Sequence, residues 1–178
     1  MRKILMILAV FLCMAPAHAQ IPYGYYDATY GLSGEPLRNA LHDIISNGFT
    51  SVSYSNLWTT YYQTDAKPNG KVWDMYSDIP GGTAPYEYTF GSDQCGSYNS
   101  EGDCYNREHT VPSSWFNDNS PMYSDVFMVI PTDGWVNNKR GNDPFGEVGS
   151  AGWTSQNGSK TGNCNYPGYS SAVFEPID

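Results

Sequence analysis

The stretch Gly102-Asp103-Cys104-Tyr105-Asn106-Arg107-Glu108-His109-Thr110-Val111-Pro112 decides how this chain is read. A carboxylate next to an imidazole suits a site that combines a hard metal ion with a proton acceptor. On a regular strand the two side chains point to opposite faces, so Glu108 and His109 cannot chelate one ion from ideal β geometry. A bend just before Pro112 would let Glu108 reach a metal while His109 reaches a substrate. The chain has three histidines, and His18 falls in an apparent export signal. Histidine chemistry therefore rests on His42 or His109, and His42 reads as a surface residue of a helix. Taken alone, a Glu-His pair is more often structural than catalytic.

Further along comes Asp133-Gly134-Trp135-Val136-Asn137-Asn138-Lys139-Arg140-Gly141-Asn142, rich in amide oxygens. Mg²⁺ takes few protein oxygens, keeps waters and accepts phosphate oxygens, so one Glu and one Asn suffice to hold it. Between the two stretches, Asp125 to Ile130 reads as a strand stopped by Pro131, and Gly134 to Asn142 as a short helix. Upstream, Leu37, Ala40, Leu41, Ile44 and Ile45 recur at helical spacing over residues 33–47, with Ser33 as N-cap and Gly48 as terminator. A second helix is expected after Ser55, carrying Trp58, Tyr61 and Tyr62. Lys71 to Tyr76 alternates like a strand. Residues 79–103 read as a long loop, and the chain after Pro144 reads as loop again. Phe174-Glu175-Pro176 at the end suggests that the natural protein continues.

The first nineteen residues read as a signal peptide: Arg2 and Lys3, an apolar run from Ile4 to Met14, then Ala17-His18-Ala19. The apolar run is shorter than the ~20 residues that span a bilayer. The remainder, residues 20–178, reads as one domain. Removing the signal leaves seven basic against 18 acidic residues, net −11. That balance argues against nucleic acid as a partner, because Lys and Arg supply most non-specific affinity. In an oxidising compartment the close pair Cys95 and Cys104 is expected to form a disulfide, with Cys164 left over. A zinc site from these cysteines with His109 is the alternative, but the gap between them is wider than the usual zinc spacing.

Beyond these local readings, the chain resembles the bacterial endonuclease I family of secreted and periplasmic nucleases. The resemblance rests on ordered blocks: Tyr25-Tyr26-Asp27-Ala28 with Gly31-Leu32-Ser33-Gly34, Tyr54-Ser55 with Trp58, Thr64-Asp65, and Val72-Trp73-Asp74-Met75-Tyr76-Ser77. It continues through Gly102 to His109 with Pro112 and Ser114-Trp115-Phe116, and ends in Pro131-Thr132-Asp133-Gly134, Val136-Asn137, Arg140 and Pro144-Phe145-Gly146-Glu147-Val148. It implies an α+β fold built on a ββα-metal (His-Me finger) core with added helices and long loops. Members usually continue beyond the Phe174 block with a basic segment and a terminal helix, so the C-terminal part looks truncated.

The same resemblance implies the site. His109 is the general base, and Glu108 and Asn137 hold one Mg²⁺, for which Mn²⁺ can substitute; Asn138 competes with Asn137. Arg107 and Arg140 are the candidate phosphate contacts, Arg140 the better match; apart from the resemblance, Lys139 joins them as a local positive patch expected to meet phosphate in spite of the net negative charge. The implied activity is low-specificity hydrolysis of DNA, with RNA open as a second substrate, leaving 5′-phosphates. The competing reading is a secreted, non-catalytic module that stacks glycans on its 15 Tyr and five Trp.

Overall fold

A computed structural model of the chain describes residues 21–177. The expected signal peptide lies outside the described residues. What is described falls into two compact units, one ending at Phe49 and the other starting at Thr50. The first holds a single turn of 3₁₀ helix at Asp27–Thr29 and the helix α1, Gly34–Ser46, with Ser33 at its N-cap. Its apolar stripe is the one expected from the sequence, and Gly48 follows its end with φ 81°.

The second unit is organised around a two-stranded antiparallel ribbon. Strand β1 is Tyr105–His109 and strand β2 is Val129–Asp133, in a register that pairs Glu108 with Ile130 and His109 with Val129. Helix α3, Gly134–Arg140, leaves β2 directly, and the Asp133 carboxylate caps it by accepting from Val136 N at 2.7 Å. Gly141, with φ 58°, turns the chain out of α3 in a conformation that a side chain would disfavour. Here the structure corrects the sequence reading of β2. Pro131 does not stop this strand but sits inside it, opposite Arg107. In a two-stranded ribbon each strand has an unpaired edge, so a residue without an N–H is tolerated where that edge faces away from the partner. Asp125 to Met128, expected to be strand, forms turns and leaves Phe127 exposed.

Two apolar clusters hold the ribbon. Side chains alternate along a strand, and neighbouring Val129 and Ile130 enter different clusters. Val129 packs with Tyr105, Tyr88, Phe90, Val72 and helix α2, Leu57–Thr64, which contributes Leu57 and Tyr61. The Tyr61 hydroxyl also donates to the Val129 carbonyl at 3.0 Å. Of the expected aromatic face of α2, Tyr61 is buried, Trp58 is half-buried, and Tyr62 stays exposed while stacking on Phe90. Ile130 packs with Val136 of α3, Tyr76 and Phe174.

Two further expectations are corrected. Lys71 to Tyr76 is not a strand; it makes one isolated bridge, Ala66 to Val72, and otherwise runs as turns. The segment after Pro144 is not loop but a three-stranded antiparallel sheet of β3 (Val148–Thr154), β4 (Lys160–Cys164) and β5 (Ala172–Glu175), in that spatial order. Its glycines disguised it. A Cβ at Gly162 would run into the Ser150 carbonyl of the neighbouring strand, so close strand approach demands glycine there. Cys95 and Cys104 form the expected disulfide, and Cys164 is the free cysteine among the described residues. Residues 79–103 carry no helix or strand, as expected.

Candidate active site

Strand β1 ends at His109 and distributes its side chains between two surroundings. Asn106 and Glu108 face α3, whereas Arg107 and His109 face the aromatic rings around Tyr54. Where the strand ends, the two sets meet. Arg107, Glu108, His109, Ser113, Asn137 and Asn142 help line one polar pocket of about 150 Å³. Adjacent residues from opposite strand faces thus serve one cavity because it lies at the strand terminus.

Glu108 is almost fully buried. Its Oε1 accepts from the Tyr76 hydroxyl and from Arg140 Nη1, each at 2.8 Å. Both side-chain donors converge on Oε1, which leaves Oε2 without a side-chain donor. Burial pushes the carboxyl up to about 7, against the opposing pull of the Arg140 guanidinium and the Tyr76 hydroxyl. The phenol of Tyr76 is itself held far above its usual range by burial.

Arg140 is placed deeper than its charge suggests. It was expected at the phosphate, yet it is 1% exposed. Its guanidinium donates to Glu108 Oε1, to the carbonyls of His109 and Thr110, and to the carbonyl of Asp143. Four of its five N–H donors are thus engaged, so Arg140 braces the end of β1 against α3 from within the lining of the pocket. Lys139, on the outer side of α3, is exposed and lies over the Trp135 ring at 5.0 Å. Arg107 also lines the pocket and is half-buried. Its guanidinium lies 3.7 Å from the Tyr54 ring centroid and 4.4 Å from that of Trp58, and one nitrogen donates to the Tyr54 carbonyl at 2.8 Å.

His109 is half-buried and held by rings. Tyr54 stacks on it with centroids 5.7 Å apart and Tyr123 with centroids 5.2 Å apart. Nε2 lies 3.1 Å from the Tyr123 carbonyl oxygen. A carbonyl only accepts, so Nε2 carries the hydrogen and Nδ1 keeps its lone pair. Burial holds the imidazole below its usual pKa. Asn137, near the middle of α3, donates from Nδ2 to Asn106 Oδ1 at 2.7 Å and to the Arg107 carbonyl at 3.5 Å; a carbonyl only accepts, so the other end of the amide is the oxygen. Asn138 is exposed and does not line the pocket.

Among the described residues, no three His, Cys, Asp or Glu side chains gather as a metal cluster. The donors at this pocket are instead one carboxylate oxygen and one amide oxygen. That set fits Mg²⁺, which draws its remaining ligands from water and phosphate, better than zinc.

Residues 33–178 match the endonuclease I family. This chain belongs to the endonuclease I family. Two curated relatives agree. The chain is 36% identical to an extracellular ribonuclease of Bacillus amyloliquefaciens over 131 residues, and 30% identical to an extracellular ribonuclease of Bacillus subtilis (strain 168) over 136 residues. Each alignment covers 71% of this chain but 40% and 41% of the relative, so the endonuclease I chain spans about two fifths of the curated proteins it matches. No solved structure matches it.

The sequence reading named Glu108, His109, Arg107 and Asn137, and the endonuclease I fold brings all four to one pocket. It missed the residues that hold them: Tyr76 on Glu108, Asn106 on Asn137, and Tyr54 with Tyr123 on His109. Tyr54 and Tyr76 lie in blocks that carry the family resemblance, which was the available signal. Asp74 was missed as well. It is fully enclosed and accepts from Thr132 Oγ1, Asp133 N and Tyr76 N, tying the Tyr76 turn to the junction of β2 and α3.

Proposed function

We propose that this chain is the catalytic part of an exported, metal-dependent endonuclease that hydrolyses phosphodiester bonds of RNA and DNA. The observation that carries the reading is the placement of His109 with a free Nδ1 at the same small pocket as the oxygen donors Glu108 and Asn137. The β1–β2–α3 order is the one that a ββα-metal core requires. Family membership and two relatives named as extracellular ribonucleases support both nucleic acid as substrate and export. Among the described residues, no helix is long and apolar enough to cross a membrane.

Glu108 Oε2 and Asn137 Oδ1 would hold Mg²⁺, with Mn²⁺ as a substitute. The bound ion would polarise the phosphate and stabilise charge on the leaving 3′ oxygen. His109 Nδ1 accepts a proton from the attacking water as the new oxygen–phosphorus bond forms. The Tyr123 carbonyl, on Nε2–H, keeps the imidazole in the tautomer this requires. Departure of the 3′ oxygen leaves the phosphate on the 5′ side. Arg107, oriented by Tyr54, offers the cation for a phosphate oxygen in an otherwise acidic chain. Contacts of this kind address the backbone and carry little base information, which favours low sequence specificity.

The test is cleavage of supercoiled plasmid and of total RNA, with Mg²⁺ and with excess chelator. Nicking and RNA degradation that stop on chelation are expected. Undiminished cleavage in chelator would overturn the metal assignment, and no cleavage with any divalent ion would overturn the nuclease reading.

A further inference from the structure

Two chain segments run from the polar pocket into a second, larger cavity. Ser113 lines the pocket, and Trp115, on the same short 3₁₀ turn, lines the larger cleft. Arg140 to Asn142 line the pocket, and the residues that follow them, Pro144 to Glu147, line the cleft. A lining residue of each cavity meets one of the other, since the Arg140 guanidinium lies 4.9 Å from the Phe145 ring centroid. The cleft encloses about 790 Å³, within the range of small-molecule sites.

Its walls are rings presented to solvent. Trp115 is 60% exposed, Tyr166 74%, Phe145 45% and Tyr169 42%. Glu147 is the one charged residue of the lining, and no Lys or Arg contributes. A sugar–phosphate backbone therefore gains nothing there, whereas flat, uncharged ring faces do. We propose that this cleft stacks unpaired bases of a single-stranded nucleic acid beside the scissile phosphate. The proposal rests on the nuclease reading of the polar pocket and adds a strand preference to it. Arg107 and the oxygen donors address the phosphate, while Trp115, Phe145 and Tyr166 take the neighbouring bases. Aromatic stacking accepts any base, because every base has a π face, so it selects strandedness without selecting sequence. Bases of a duplex are already stacked on each other and reach such a cleft only after unstacking.

The experiment compares wild type with Trp115→Ala, Trp115→Phe and Tyr166→Ala. Affinity for a labelled short oligouridine and for a duplex of equal length is read by fluorescence anisotropy in chelator, where cleavage is blocked. Cleavage of an oligonucleotide whose scissile phosphodiester is flanked by abasic sites, with Mn²⁺, reads the polar pocket without bases. We expect each alanine variant to lose about tenfold to a hundredfold in single-strand affinity. Duplex affinity and cleavage of the abasic substrate should be unchanged, and Trp115→Phe should recover most of the loss. Unchanged single-strand affinity in both alanine variants overturns the proposal, as does an equal loss on single strand and duplex. Concentration-dependent self-association of wild type that Trp115→Ala abolishes would assign the cleft to a second copy of the chain and overturn it too. Failure of wild type to cleave the abasic substrate or any nucleic acid would instead sink the nuclease reading.

Discussion

The Tyr76 hydroxyl donates to Glu108 Oε1 at 2.8 Å, from a turn 32 residues earlier in the chain. Together with Arg140 it occupies one carboxylate oxygen and leaves the other without a side-chain donor. Asp74 places that turn by accepting from the Tyr76 backbone N–H and from the start of the β2–α3 junction. The carboxylate is thus oriented from outside the β1–β2–α3 unit by Tyr76 as well as from within it by Arg140.

Tyr76→Phe isolates this contact, because the ring still packs between Phe174 and Phe145. Removal of a hydrogen bond to a metal ligand typically costs 10–100-fold in metal affinity or activity. The expected outcome is a loss of that order in calorimetric Mn²⁺ affinity, with thermal stability nearly retained. Unchanged Mn²⁺ affinity would show that Arg140 alone orients Glu108.

Asp74→Asn should destabilise the second unit. Three donors converge on the two carboxylate oxygens of Asp74, and an amide can offer an oxygen to only one side. At least one donor would then meet an NH₂ group, and a buried unsatisfied group costs about 1–3 kcal/mol. Burial raises the Asp74 carboxyl to about 6. A raised folded value means that its protonation favours the fold: that stabilisation is complete below the unfolded value near ~3.9 and is lost as pH rises through about 6. Urea unfolding of both proteins at pH 5 and pH 8 checks the size and the sign.

Arg140→Ala is expected to behave as a folding mutant, not as a phosphate-binding mutant. It strands the buried Glu108 carboxylate and leaves the carbonyls of His109, Thr110 and Asp143 without their donor. Loss of one partner of a buried pair costs roughly 3–5 kcal/mol. Chemical denaturation should show it. Arg107→Ala, by contrast, should keep the fold, weaken nucleic-acid binding and reduce its salt dependence. A stable Arg140→Ala protein that lost only phosphate affinity would restore the sequence-based role.

The pocket residues were legible because Glu108, His109 and Asn137 stand in short ordered blocks, and helix α1 was legible because its apolar period is regular. The supporting residues were not, because Tyr76 and Asp74 act across long sequence separations that no local pattern encodes. The bracing contacts of Arg140 were hidden for a related reason: sequence gives its charge but not its burial. The β3–β5 sheet was hidden by glycines at Gly149, Gly152 and Gly162, which read as loop. Its hairpin signal was nevertheless present in Asn157-Gly158, where Gly158 adopts φ 105°. Pro131 was read as a stop because the sequence alone does not say that β2 has a free edge.

The pH dependence of cleavage separates the two residues at the centre of the site. His109 must be neutral to accept a proton, and burial holds its pKa below the usual 6.5, with the Tyr123 carbonyl pulling the other way. A depressed folded value means that the unfolded chain takes up the proton first. The His109 contribution to stability is therefore present above pH ~6.5 and is lost as pH falls through the folded value. For catalysis the same shift extends the active form to lower pH, so the acid limb of the single-turnover rate should lie below 6.5 when metal is saturating. Glu108 acts in the opposite sense. Its carboxyl, raised to about 7 without metal, must lose its proton to bind an ion, so Mn²⁺ affinity should fall about tenfold per pH unit below 7, with proton release on binding. Calorimetry in buffers of different ionisation enthalpy reads the second effect, and NMR titration of the His109 ring reads the first. His109→Ala should lose about 10²–10⁴ in rate while keeping Mn²⁺ affinity. Glu108→Ala should lose Mn²⁺ affinity as well. If His109→Ala loses the ion while Glu108→Ala retains it, the roles of the two residues are exchanged. If the acid limb follows the Mn²⁺ affinity even at saturating metal, His109 is not the base.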